Sequence, residues 1–337
     1  MKRKIAAIFA AIMIAFSSLG VLTACDFDSG KTKIVATIFP QYDWVMNVLG
    51  ERKSDFDVKL LAKSGADLHN FSPTSDDILA IAKCKLFIYV GGESDENWVD
   101  RVLEQNPNSD RTVINLLEVL GDNAKIEEPV EGEEHHHDHE EGEEHEHEHE
   151  EEYDEHVWLS LKNAGIFVDE IVKALVKIDA ENAETYTQNA IGYKAELSAL
   201  DDKYTAAVNN AETKTLLFAD RFPFRYLVDD YGLSYFAAYS GCSAANSAAS
   251  PETIIRLADK LIENSLTTVL KLEDSDGSIA RQVIETAKNK GYTAQVETKT
   301  LDSLQASTIR EYNEGRTYLA VMESNLDVLK IALKVAE

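Results

Sequence analysis

Apolar and β-branched residues fall into short runs, separated by stretches in which apolar positions recur every three or four residues. The first run, Lys33-Ile-Val-Ala-Thr-Ile-Phe39, has the composition of a buried strand. Similar runs predict strands over 56–61, 86–90 and 112–116. Helices are expected over 41–49 and 97–104, with another opening at Ser72-Pro73. There Ser72 would cap, Pro73 would occupy the first turn, and Asp76 and Asp77 would sit near the positive helix end. The second half repeats the rhythm. Strands are predicted over 215–219, 234–238, 268–272 and 293–296. Helices are predicted over 224–230, 251–263 (capped by Ser250), 279–289 and 304–333. Strands alternating with helices argue parallel sheets covered by helices.

Between the halves, Ala183, Tyr186, Ala190, Tyr193, Leu197, Leu200, Tyr204 and Ala207 form one apolar stripe at helical spacing. A helix over 181–209 would span about 40 Å at 1.5 Å per residue, more than one small lobe needs. The expected fold is therefore α/β: two lobes, each a mostly parallel sheet flanked by helices, joined by one long backbone helix. The boundaries are 33–178 for the first lobe, 179–210 for the link and 211–337 for the second lobe. Ligands of such sheets bind beyond the carboxyl ends of the strands, which points to the cleft between the lobes.

The N-terminus changes the setting. Lys2, Arg3 and Lys4 precede an uncharged, mostly apolar stretch of eighteen residues over 5–22. Leu22-Thr23-Ala24-Cys25 follows, with small residues where a signal peptidase would cut. It resembles a bacterial lipobox, so 1–24 is expected to be a signal peptide and Cys25 the lipidated first residue of the mature chain. Residues 25–32 then form a tether on the outer face of the cell membrane. The 313 residues from Cys25 onward suffice for two lobes. Cys84 and Cys242 remain; they read as buried thiols, with a disulfide as the alternative.

Charge is concentrated in one place. Between Glu127 and Glu155 there are seventeen acids, seven histidines and no Lys or Arg, and these acids account for more than half of the net charge of -27. This acidity argues against a nucleic-acid partner. The segment lacks apolar periodicity, so 127–152 is expected to be a disordered loop. Its histidines, His135, His136, His137, His139, His145, His147 and His149, alternate with acids. Imidazoles favour zinc, copper and nickel over manganese, and carboxylates add long-range attraction. The segment reads as a weak, multi-site zinc collector, which protons should displace below about pH 6.5.

Only two histidines lie outside it. His69 stands in Gly65-Ala-Asp67-Leu68-His69-Asn-Phe71-Ser-Pro73, between a strand and a helix. His156 stands in Asp154-Glu155-His156-Val157-Trp158-Leu159, where the acidic loop rejoins the fold. With Tyr231-Gly232-Leu233, Ser250-Pro251-Glu252 and Asn325-Leu-Asp-Val-Leu, these stretches resemble, in order and spacing, the zinc- and manganese-binding solute-binding proteins of bacterial ABC importers. The resemblance covers nearly the whole mature chain.

It implies four metal ligands. His69 and His156 match the first two, and Glu273, closing Val269-Leu-Lys-Leu-Glu273, matches the fourth. The third family position falls on Arg221, which is always cationic and cannot ligate. Either Asp220 binds instead, or a water completes the site, or Asp220 and Arg221 form an ion pair. Leu68 and Glu155 stand where the family often has proline. The resemblance further implies an extracytoplasmic, lipid-anchored monomer that takes up zinc and passes it to an ABC permease and its ATPase. The alternatives are a manganese receptor of the same family, a zinc-dependent hydrolase and a zinc-buffering lipoprotein. A hydrolase would need an open coordination position and a placed base; the His-Glu-x-x-His spacing occurs only at 145–149, inside the acidic low-complexity run, where no helix is expected to put both histidines on one face. Glycine-rich phosphate loops are also absent.

Overall fold

The computed structural model describes residues 30–62, 68–130, 152–242 and 249–336. The predicted signal peptide, Cys25 and the seven loop histidines lie outside the described residues. Among the described residues no helix is long and apolar enough to cross a membrane.

The first half contains β1 (Thr32–Ala36), α1 (Phe39–Leu49), β2 (Phe56–Leu60), α2 (Ser75–Lys83), β3 (Leu86–Tyr89), α3 (Glu93–Gln105), β4 (Thr112–Asn115) and α4 (Leu116–Leu120). Then come α5 (Leu161–Ile178) and the long α6 (Ala183–Asn209). The second half contains β5 (Thr215–Phe222), α7 (Arg225–Tyr231), β6 (Ser234–Ser240), α8 (Pro251–Glu263), β7 (Thr268–Lys271), α9 (Ser278–Asn289) and β8 (Glu297–Thr300). Two helices close the chain, α10 (Ile309–Asn313) and α11 (Tyr318–Ala332).

The strands form two four-stranded sheets, ordered β2-β1-β3-β4 and β6-β5-β7-β8. The two orders are the same: the chain runs outward in one direction from the first strand, then crosses back over it. In each sheet the order reverses beside the first strand, between β1 and β3 and between β5 and β7. These pairs are parallel. Crevices at the carboxyl ends of such strands are where α/β sheets hold ligands.

The long helix buries every member of its predicted stripe except Ala183. It ties the halves together with polar contacts as well. Tyr204 donates to the Met322 carbonyl at 2.6 Å, and Tyr193 donates to Asp43 in α1 at 3.1 Å. One apolar cluster runs from Ile34 through Trp158 and Tyr204 to Leu333, so the halves share a core.

Three predicted elements differ. The helix expected from Ser72 begins at Ser75, because Thr74 and Asp77 make a reciprocal cap: Asp77 N–H donates to Thr74 Oγ1, and Asp77 Oδ2 accepts from Thr74 N–H and Oγ1. The strand expected over 293–296 lies at Glu297–Thr300, paired with Thr268–Lys271. The helix expected over 304–333 is broken in two. Leu304 has φ 65° and Gly315 has φ 101°, both in the left-handed region that helices exclude. Thr308 and Thr317 each cap a new start.

Asp43 carries a testable electrostatic cost. Its carboxylate is 0% exposed and accepts from Tyr193 and Asn47. Burial dominates and raises its pKa to about 6. The proton is thus held more tightly in the fold than in the unfolded chain, so stability rises as pH falls through 6. Between pH 7 and pH 5 the wild type should gain about 1.4 kcal/mol relative to Asp43→Asn, whose amide does not titrate. Urea denaturation of both proteins at the two pH values measures this. A constant difference would place the charge in a better solvated setting.

Candidate metal centre

His69 and His156 come from opposite ends of the first half and meet. His69 sits in a single 3-10 turn, Leu68–Asn70, just before α2. His156 immediately precedes another such turn, Val157–Leu159, which leads into α5. His156 is 0% exposed, and the His69 side chain is 13% exposed. Their Nε2 atoms lie 3.4 Å apart.

The other face of each ring explains this geometry. His156 Nδ1 lies 3.1 Å from Asp154 Oδ1, which also accepts from the His156 backbone N–H at 2.8 Å. His69 Nδ1 lies 2.7 Å from Ser94 Oγ and 3.4 Å from Glu155 Oε2. The Ser94 N–H donates to the other oxygen of Glu155 at 2.8 Å. A carboxylate or hydroxyl behind Nδ1 favours the tautomer with its proton there, which leaves both Nε2 lone pairs facing each other. Two facing lone pairs repel unless a cation lies between them. Nitrogens about 2.05 Å from a tetrahedral zinc ion sit about 3.3 Å from each other, which matches the observed separation.

A third donor joins them. Cys242 Sγ and ligand atoms of both histidines lie within 4.8 Å of one another. Cys242 follows β6 and Gly241. A Cβ on Gly241 would stand 2.9 Å from the Phe222 carbonyl oxygen and 3.1 Å from His156 Cε1, so only glycine lets this backbone approach the imidazole. The Cys242 N–H donates to Glu127 Oε1 at 2.8 Å. Cys84 is far from this arrangement in role: it is buried and its thiol donates to the Ile81 carbonyl at 3.1 Å. Both thiols are free.

The surroundings are acidic. Asp154 and Glu155 are each 2% exposed. Burial raises the Glu155 pKa to about 7 and lifts that of Glu127 as well. Burial, then the charges of Glu127, Asp154 and Glu155, push the Cys242 thiol far above its usual range. These carboxylates give the centre a potential that draws cations.

The other two predicted ligands are not in this three-donor group. Glu273 accepts from Ser303 N–H at 2.9 Å and from Ser303 Oγ at 2.7 Å. The same Ser303 offers its carbonyl to Trp158 Nε1 at 2.9 Å, and the Trp158 ring packs 5.2 Å from that of His156. Glu273 thus reaches the histidines through Ser303 and Trp158 rather than as part of the three-donor group. Asp220 accepts from the backbone N–H groups of Arg221 and Leu272, at 3.0 and 3.2 Å. Its carboxylate bridges β5 to the end of β7, at the point where the strand order reverses.

The base of the His-rich segment adjoins the centre. The backbone of Ile126 pairs with that of Tyr153 in an isolated antiparallel bridge, and Glu127 N–H donates to the Glu152 carbonyl at 2.9 Å. Three residues beyond this clasp is His156 itself, so both ends of the segment start beside the histidine pair.

Residues 34–332 match the family described as zinc-uptake complex component A, periplasmic, or ZnuA. The chain belongs to the ZnuA family. A ZnuA-family relative, the high-affinity zinc uptake system protein ZnuA of Bacillus subtilis, is 30% identical over 312 residues, covering 93% of this chain and 91% of that protein. Zinc-binding protein AdcA of Streptococcus pyogenes serotype M3 is 29% identical over 345 residues, covering 100% of this chain. The chain spans only 62% of that streptococcal protein's length. The Zn(II)-bound ZnuA-like domain of Streptococcus pneumoniae AdcA superposes with a TM-score of 0.68 at 26% identity, covering 90% of this chain and 99% of that domain. The ZnuA-type architecture is therefore shared, including the paired sheets.

Proposed function

We propose that this protein captures zinc outside the cytoplasmic membrane and delivers it to an ABC permease driven by a cytoplasmic ATPase. The convergent Nε2 atoms of His69 and His156, 3.4 Å apart with acceptors behind both Nδ1 atoms, carry the reading. No substrate is chemically changed in this role. The ion is cargo, held by imidazoles in an acidic setting. Residues 1–24 serve as the export signal, and Cys25 carries the lipid that holds the protein to the membrane. The tether 25–32 and the lobes 33–178 and 211–337, linked through 179–210, complete the organisation.

The His-rich segment acts as a collector of lower affinity. Its seven histidines raise the local zinc concentration at the mouth of the site, since both ends of the segment adjoin it. Calorimetric titration of the protein with zinc, with and without residues 133–150, tests this division. One tight zinc site should survive the deletion, with only weak extra stoichiometry lost. A tight site that vanishes with the segment would overturn the two-site account.

A further inference from the structure

We propose that Cys242 supplies a thiolate ligand to the zinc held by His69 and His156, and that this sulfur sets the site's preference for zinc over manganese. This deepens the zinc-capture reading and rests on it. Among the described residues, these three side chains form the group of donors close enough to share an ion. Neither Glu273 nor Asp220 belongs to that group. Both Glu273 oxygens accept from Ser303, and both Asp220 oxygens accept backbone N–H groups. Arg221, at the third family position, has no lone pair to offer.

The backbone is shaped to deliver the sulfur. Cys242 extends beyond the carboxyl end of β6, in the sheet of the second half. Gly241 removes the Cβ that would collide with His156, and Glu127 anchors the Cys242 amide at 2.8 Å. Two histidines from the first half and one cysteine from the second would thus be joined by the ion. Binding replaces the thiol proton with zinc and releases that proton to solvent. Thiolate is a soft ligand that suits zinc, whereas manganese prefers carboxylate, carbonyl and water oxygens. A site whose third donor is sulfur therefore rejects manganese by ligand chemistry rather than by size.

Cobalt(II) titration of the protein reads this directly, because thiolate bound to cobalt gives an intense near-ultraviolet charge-transfer absorption that imidazole and carboxylate do not. The wild type and Cys84→Ser should both show the band at one equivalent, and zinc should remove it. Cys242→Ser should keep the weaker visible cobalt bands and lose the charge-transfer band. Competition titrations should show its zinc affinity falling at least tenfold, with manganese affinity unchanged, so that the zinc-to-manganese ratio narrows by the same factor. Stoichiometric cobalt binding by the wild type without charge transfer would overturn the cysteine assignment and leave zinc capture standing. An unchanged zinc-to-manganese ratio in Cys242→Ser would overturn the selectivity claim. Absence of any tight cobalt or zinc site would overturn both readings together.

Discussion

Replacing His156 by alanine should abolish tight zinc binding. The side chain is 0% exposed and contributes one of two imidazole nitrogens 3.4 Å apart, so no neighbour can take its place. Removing it leaves His69 facing an empty space and Asp154 without its ring partner. Zinc affinity should fall by at least a hundredfold, about 2.7 kcal/mol at 1.4 kcal/mol per decade. His69→Ala should fall comparably, and its side chain is accessible enough that folding is little disturbed. Parallel calorimetric titrations with zinc check both. Circular dichroism confirms that the variants are folded. Tight binding retained by either variant would remove the histidine pair from the site.

The second large effect concerns Trp158. Its ring is 0% exposed, its Nε1–H donates to the Ser303 carbonyl, and its own carbonyl accepts from Tyr318. Trp158→Ala should destabilise the zinc-free protein by about 3–5 kcal/mol, the cost of a large cavity in a close-packed core. Trp158→Phe keeps most of the ring but strands the Ser303 carbonyl, at about 1–3 kcal/mol. Both should weaken zinc binding, because Trp158 packs on His156 and links it through Ser303 to Glu273. Guanidinium denaturation gives the stability change. A loss under about 1 kcal/mol in the alanine variant would mean that the site is not braced through this residue.

Much of this was legible in the residues, for identifiable reasons. The stripe from Tyr186 to Ala207 reads as one helix because its apolar spacing persists over about six turns, longer than loops or strands allow. Strand positions were legible where apolar residues run together, as at Leu86–Tyr89. The strand Glu297–Thr300 is largely exposed, at the edge of its sheet, so no apolar run marks it. Leu161–Ile178 carried a helical signal that the sequence reading passed over: Ala164, Phe167, Val168, Ile171, Ala174 and Leu175 all face the core. The late start of the first closing helix follows a backbone turn at Leu304, a residue type that gives no such warning, whereas Gly315 marks the break before Tyr318.

The site divides along similar lines. His69 and His156 stood out because so few histidines lie outside the acidic run. Asp154 and Glu155 adjoin His156 in sequence, but their role behind the imidazoles is three-dimensional: Glu155 serves His69, 86 positions away. From the sequence, Cys242 reads as a buried thiol, with a disulfide to Cys84 as the alternative. A Gly-Cys pair after a strand has no spacing that points to histidines 86 and 173 residues earlier. Glu273 and Asp220 are candidates through the family resemblance, and a match in position cannot tell which hydrogen bonds a carboxylate makes.

The central claim is one zinc ion between His69 and His156. A crystal structure of the zinc-loaded protein, with anomalous scattering at the zinc edge, tests it most directly. A single strong anomalous peak is expected within about 2.1 Å of both Nε2 atoms. A peak bonded to neither histidine, with these two rings left unligated, would contradict it.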